Sequence, residues 1–215
     1  MARADGCLAV MPDGAAFEDA TAVPSAALTA LQGLRDKGGL QPGQTVLING
    51  ASGGVGTYAV QIAEALGAEV AAVCGPRGVD IARSLGADRV IDYTTTDFTR
   101  SDERFDVLLD VAGTRSFRAT RRVLAPGGIH VVIGGPMGGL LGRLGRVIRV
   151  RLGGMVTRRR TVFFIAALVR GDMETLRDML ADGRIRSVID SRYPFKDVVE
   201  PSATSAKTIP RARSW

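Results

Sequence analysis

Seven small residues, Gly50-Ala51-Ser52-Gly53-Gly54-Val55-Gly56, stand between an apolar run and a helical pattern in "TVLINGASGGVGTYAVQIAEALGAEVAAVCGPRG", residues 45–78. The chemistry open to such a turn is anion binding. A helix start offers unpaired N–H donors and the positive end of the macrodipole, and a phosphate reaches them only where no side chain stands in the way. Ala51, Gly53 and Gly56 keep the G-x-G-x-x-G spacing, with Ala replacing the first glycine. The turn follows one expected strand, opens a helix and leads to a second strand, as a dinucleotide's pyrophosphate cradle requires. A tight turn without a ligand is the plainer alternative.

The second strand carries its own message. In an NAD-binding unit an acid about 20 residues after the glycines takes the ribose 2′-hydroxyl. Here the strand ends Val73-Cys74-Gly75-Pro76-Arg77, with no acid. Gly75 leaves room, and Arg77 is suited to charge-assisted hydrogen bonds with a 2′-phosphate. NADP(H) is therefore expected in preference to NAD(H), with a solvent-facing Arg77 as the alternative. The turn also fits the short-chain dehydrogenase spacing through Gly50, Gly54 and Gly56. That chemistry needs a Tyr followed by Lys four residues on, which Tyr58, Tyr93 and Tyr193 all lack.

Other reactive residues are sparse. One histidine, His130, falls in an expected strand, and Cys7 and Cys74 have no metal-ligand spacing, so no zinc site is expected. Cys74 reads as a reduced core thiol, which suits a cytoplasmic chain.

The elements that would position these groups alternate. Strands are expected at 44–49, 69–74, 89–93, 104–113, 129–135 and 161–168, and helices at 55–67, 79–86, 116–128 and 172–183, with 187–195 extended. Near-continuous apolar strands alternating with helices imply a parallel sheet covered on both faces. The fold class is α/β: a doubly wound, three-layer parallel sheet. No internal repeat or low-complexity tract interrupts it.

With 215 residues the chain can bury a full core, and its net charge of +6 lies partly in Arg143, Arg146, Arg149, Arg151, Arg158, Arg159 and Arg160. No aromatics interleave with them, and Leu144, Val147, Ile148 and Leu152 give an amphipathic spacing. A solvated basic face, or an arm over a partner domain, is favoured over nucleic-acid or lipid binding. The longest apolar run, 162–169, is far short of the ~20 residues of a membrane span. Neither a nucleic acid nor a membrane is an expected partner.

Together, "AVPSAALTAL" (22–31), the stretch 39–70, "RSLGADRVIDY" (83–93), "FDVLLDVAG" (105–113), "LAPGGIHVVIGG" (124–135) and "LADGRIRSVIDSRYPFKDVVE" (180–200) resemble the medium-chain dehydrogenase/reductase superfamily. The resemblance is to its quinone-oxidoreductase-like branch, with a Rossmann domain of the zinc-binding-dehydrogenase type. It implies that Ser52, Gly53, Gly54 and Val55 meet the pyrophosphate. Gly75, Arg77 and Tyr93 would surround the 2′-phosphate, and Val111, Ile133 and Gly134 would lie towards the nicotinamide. It further implies hydride transfer from NADPH to a small quinone, enone or carbonyl substrate without zinc, and a homodimer through the sixth strand. No catalytic residue is assigned.

Residues 1–30 resemble only the end of the family's GroES-like catalytic domain and a linker helix. The domain organisation expected is that remnant, an NADP-binding domain at 31–186, and a return segment at 187–215. From about residue 201 the chain reads "PSATSAKTIPRARSW" instead of the family's G-K-V-V ending. The neighbouring reading frame can encode A-I-R-Y-V and G-K-V-V, so a frameshift near Glu200 is expected. A coding sequence unable to yield those strings would refute it. Two readings stay open: an oxidoreductase of which this is the cofactor half, and a non-catalytic NADP(H)-binding remnant. A third, weaker one is an accessory binder of an acidic partner through 143–160.

Overall fold

The computed structural model describes residues 8–133 and 160–192. Six parallel strands form one sheet: β1 (Thr45–Asn49), β2 (Glu69–Cys74), β3 (Arg89–Asp92), β4 (Phe105–Asp110), β5 (Leu124–Ile133) and β6 (Arg160–Phe164), in the order β3-β2-β1-β4-β5-β6. The sheet grows outward from β1 in both directions. The crevice between β1 and β4 is therefore where the winding reverses, and loops at the carboxyl ends diverge there. Register places Asn49 beside Asp110 and Val73 across β1–β2 and β1–β4, so the last residues of these strands stand level.

The strands form because runs such as Val46-Leu47-Ile48 and Leu108-Leu109 are buried on both faces. Val46, Ile48, Val70, Ala72, Val107, Leu109 and Val131 face one core layer, while Leu47, Ala71, Val73, Phe105 and Leu108 face the other. The first layer is roofed by α1 (Phe17–Leu31), α2 (Gly54–Ala65), α3 (Val79–Ser84) and α5 (Arg170–Ala181), whose apolar residues share one cluster. The second is met by Phe98 and Val123, from the 3-10 turns Phe98–Arg100 and Arg121–Val123 on either side of α4 (Phe117–Thr120).

The α/β, doubly wound parallel sheet expected from the sequence is present. The largest boundary differences lie after α4 and after β6. The helix expected at 116–128 is only α4 plus a 3-10 turn, because Leu124 is fully buried and pairs with Phe105, so β5 begins there. A register shift between Phe105 and Val107 absorbs the extra residues before Ile129. The sixth strand ends at Phe164, and Ile165 is already 84% exposed.

Polar clamps hold the peripheral segments. α1 continues into a π-helical turn, Gln32–Lys37, that buries Gln32. The Gln32 amide donates to the Ala167 carbonyl (2.8 Å) and Asp172 Oδ2 (2.7 Å), and accepts from the Ala167 N–H (3.0 Å). Arg35 adds an ion pair to Asp172 at 2.6 Å. Gln61 of α2 does the same for the chain after α5, exchanging two bonds with the Arg186 backbone (2.8 and 3.0 Å). Among the described residues no helix is long and apolar enough to cross a membrane.

Candidate cofactor site

The residues singled out by the sequence gather along the carboxyl edge of the sheet. Gly50 turns the chain out of β1 at φ +94°, and an added Cβ would lie 3.2 Å from the backbone N and Cβ of Ala112. Only glycine satisfies both the left-handed backbone and the approach of the β4 loop. Gly56 is tighter. A Cβ there would stand 2.7 Å from Ala51 C and Cα, and closer still to the Gly50 carbonyl oxygen, so its absence lets α2 start against the end of β1.

Gly54 is the contrast. It is the first residue of α2, is exposed, and a Cβ on it would meet no atom within 4 Å. The helix has no side-chain cap and no acid in its first turn. Its leading N–H groups lack intrahelical acceptors and lie beside the open space at Gly54. Packing explains the glycine at 56. It does not explain the one at 54, where open space over free donors fits an incoming anion.

The residues expected at the 2′-phosphate end come from the ends of β2 and β3 and the turns that follow. The space Gly75 leaves is occupied by Tyr93, whose hydroxyl would sit 3.1 Å from a Cβ there, and the Tyr93 N–H donates to the Cys74 carbonyl at 3.1 Å. The room at Gly75 thus lets Tyr93, half exposed, lie across the end of β2. Arg77 is exposed on the 3-10 turn Pro76–Gly78 and makes no ion pair among the described residues. Gly78 closes the link to the phosphate turn, since a Cβ there would stand 2.5 Å from Ser52 Cβ. Val111 and Ile133, both partly buried, follow β4 and end β5. Gly134, Tyr193, the tail from 201, Cys7 and the arginines from 143 to 159 lie outside the described residues. Arg160 opens β6 and is exposed.

Sequence reasoning missed a polar node beneath this edge. Asp110, 3% exposed, accepts from Asn49 Nδ2 (2.8 Å) and the Gly113 N–H (2.9 Å) through Oδ1, and faces His130 Nε2 at 3.3 Å through Oδ2. Burial opposes its ionisation, but the bonds from His130, Gly113 and Asn49 outweigh burial and hold its carboxyl below the usual range. His130, 2% exposed, stacks on Phe117 with ring centroids 5.6 Å apart. The available signal was a polar residue closing each apolar run, Asn49 after "TVLI" and Asp110 after "FDVLL".

Among the described residues no three His, Cys, Asp or Glu side chains are placed to hold an ion. His130 is turned to Asp110 inside the sheet, and Cys74 is a buried thiol whose pKa is raised by burial and by Asp92.

Known proteins are similar to this chain in sequence and in fold. Residues 85–204 match the zinc-binding dehydrogenase family. A chloroplast envelope quinone oxidoreductase homolog of Arabidopsis thaliana is 29% identical over 204 residues, 90% of this chain and 60% of the relative. A mitochondrial NAD(P)H oxidoreductase of Mus musculus is 32% identical over 210 residues, 88% of this chain and 52% of the relative. The solved quinone oxidoreductase of Coxiella burnetii superposes with a TM-score of 0.80 at 24% identity, over 93% of this chain and 60% of that one, a likeness of fold. The chain spans little more than half the length of these curated relatives.

Proposed function

Since the chain belongs to the zinc-binding dehydrogenase family, in the quinone-oxidoreductase-like branch of the medium-chain dehydrogenase/reductases, we propose that its sheet edge binds NADP(H), in preference to NAD(H), for hydride transfer to a small quinone, enone or carbonyl compound. The observation that carries this reading is the uncapped start of α2 opening onto unfilled space at Gly54, with Arg77 making no ion pair among the described residues and no acid at the end of β2.

Ser52, Gly53, Gly54 and Val55 would hold the pyrophosphate on backbone N–H groups, which add no bulk and need no reorganisation. Arg77 would pair with the 2′-phosphate, with Tyr93 across Gly75 forming the wall of that subsite. Val111, Ile133 and Gly134 would border the nicotinamide, fixing which ring face is presented. The bound cofactor supplies the hydride; the protein's part is orientation and exclusion of water. The donor set gives zinc no part in the reading. A homodimer through β6, the outer strand of the described sheet, belongs to the proposal. So does a cytoplasmic setting, which suits the free thiol of Cys74.

The test is fluorescence titration with NADPH and NADH, followed by the fall in NADPH absorbance with a naphthoquinone or a simple enone. Binding of NADPH at least about tenfold tighter than NADH, with turnover, is expected. NADPH binding without turnover would favour the non-catalytic cofactor-binding reading instead. Failure to bind either nucleotide would refute both.

A further inference from the structure

The buried node of Asn49, Asp110 and His130 joins the two lips of the crevice where the winding of the sheet reverses. On one side, Asn49 is the last residue before the phosphate turn, and its carbonyl accepts the N–H groups of Val111 (3.0 Å) and Ala112 (3.2 Å) from the opposite lip. On the other side, Asp110 takes the Asn49 amide at 2.8 Å and the Gly113 N–H at 2.9 Å. The turn 111–113 is therefore hung from two polar groups, one on each strand, within contact of Gly50.

His130 holds the other carboxylate oxygen. Parallel register sets Asp110 opposite Val132 and Leu108 opposite His130, so His130 lies diagonally below Asp110 on the same sheet face. Its Nδ1 has no hydrogen-bond partner among the described residues. All its polar contact is thus spent on Asp110, and Phe117 shuts it from water. A core position of this kind would be filled more cheaply by an apolar residue. An imidazole there makes sense as a group that fixes one rotamer of the carboxylate above it.

We propose that Asp110 and His130 are positioning residues: together they hold the turn 111–113 at a set distance from the phosphate turn, and so fix the seat of the nicotinamide-ribose half of the cofactor. The inference rests on the reading that this edge binds NADP(H). It assigns the node to one half of the ligand only, because Gly75, Arg77 and Tyr93 lie beyond β1 and share no hydrogen bond or ion pair with it among the described residues.

That asymmetry is what the experiment reads. NADPH and adenosine 2′,5′-bisphosphate, which lacks the nicotinamide half, are titrated against the native chain, His130→Leu and His130→Gln. His130→Leu should weaken NADPH about tenfold, as expected for one lost hydrogen bond to a charged group, and leave the bisphosphate within about twofold. His130→Gln, which keeps an N–H donor, should recover most of the loss. Equal losses for both ligands, or none for NADPH, would overturn the proposal. The Gly113 amide of the native chain gives a readout independent of any variant's folding. Its exchange should run at least about tenfold below the unprotected rate, and exchange at the unprotected rate would also overturn the proposal. Should the native chain bind neither ligand, the cofactor reading itself fails, a result separate from a lost asymmetry between the two.

Discussion

Gly54→Ala separates a glycine kept for a ligand from one kept for the fold. A methyl at position 54 meets no protein atom within 4 Å, and the backbone there is not left-handed. As the first residue of α2, alanine is neutral or favourable for the helix, by up to about 0.5–1 kcal/mol. For a chain of this size that is a rise in melting temperature of between zero and about 4 °C. On the proposed reading, the same methyl would occupy the path by which a pyrophosphate oxygen reaches the first N–H groups. Losing one charge-assisted hydrogen bond, about 1.5–3 kcal/mol, weakens NADPH roughly 10- to 100-fold. Gly56→Ala is the counterpart. Its methyl collides with backbone atoms of Gly50 and Ala51, so about 1–3 kcal/mol of stability is lost and binding falls with the fold. Thermal unfolding and NADPH fluorescence titration on the two variants decide the matter. Unchanged affinity in Gly54→Ala, or a melting temperature lowered as far as in Gly56→Ala, would refute the assignment of that open space to the pyrophosphate.

Arg77→Ala should weaken NADPH about tenfold and leave NADH nearly unchanged, and added salt should narrow the native preference because Arg77 is exposed; equal losses for both nucleotides would contradict its role. Asp110 and Asp172 are both held below their ordinary pKa, Asp172 because the bonds from Gln32 and Arg35 outweigh its burial. A carboxylate lowered in the folded state contributes full stability above its unfolded value of about 3.9 and loses it as pH falls through the folded value. The urea midpoint should hold from pH 7 to about pH 5 and drop below about pH 4, and Asp172→Asn should flatten that drop; a midpoint that rises on acidification would be incompatible with these assignments. Val162→Lys in β6 should convert a dimer seen by sedimentation into a monomer, and a native chain already monomeric at tens of micromolar removes β6 pairing from the proposal.

Much of this was legible because the signals are local. "TVLIN", "EVAAVC" and "FDVLLD" announce doubly covered strands by their unbroken apolar runs, and their order with the intervening helices implies the parallel sheet. The glycine-rich turn is written in consecutive residues. The end of α4 was misread because nothing from Ser116 to Ala125 breaks a helix before the Pro-Gly-Gly turn, and only the pairing of Leu124 with Phe105 decides otherwise. The polar node was invisible for the same reason. Asn49 and Asp110 are 61 residues apart and His130 another 20, and only strand register brings them together. The filling of the Gly75 gap by Tyr93 likewise depends on β2 and β3 ending side by side.

The crowding around Gly56 and Gly78 constrains how this sequence can drift. At Gly56 the obstacle to a side chain is main chain, the Gly50 carbonyl and the Ala51 backbone, and no substitution at a neighbouring position removes main chain. At Gly78 the obstacles are side chains, chiefly Ser52 Cβ at 2.5 Å with Cys74 Cβ at 3.2 Å behind it, and Gly78 itself sits at φ −94°, a conformation any L-residue adopts. Position 56 is therefore closed one change at a time, whereas positions 52 and 78 form an exchangeable pair. Ser52→Gly would remove the main clash with alanine at 78, leaving a tight contact with Cys74 Cβ, and move the bulk from the glycine-rich turn to the foot of α3. Across descendants of this chain, 52 and 78 should covary in size, and 56 should stay fixed.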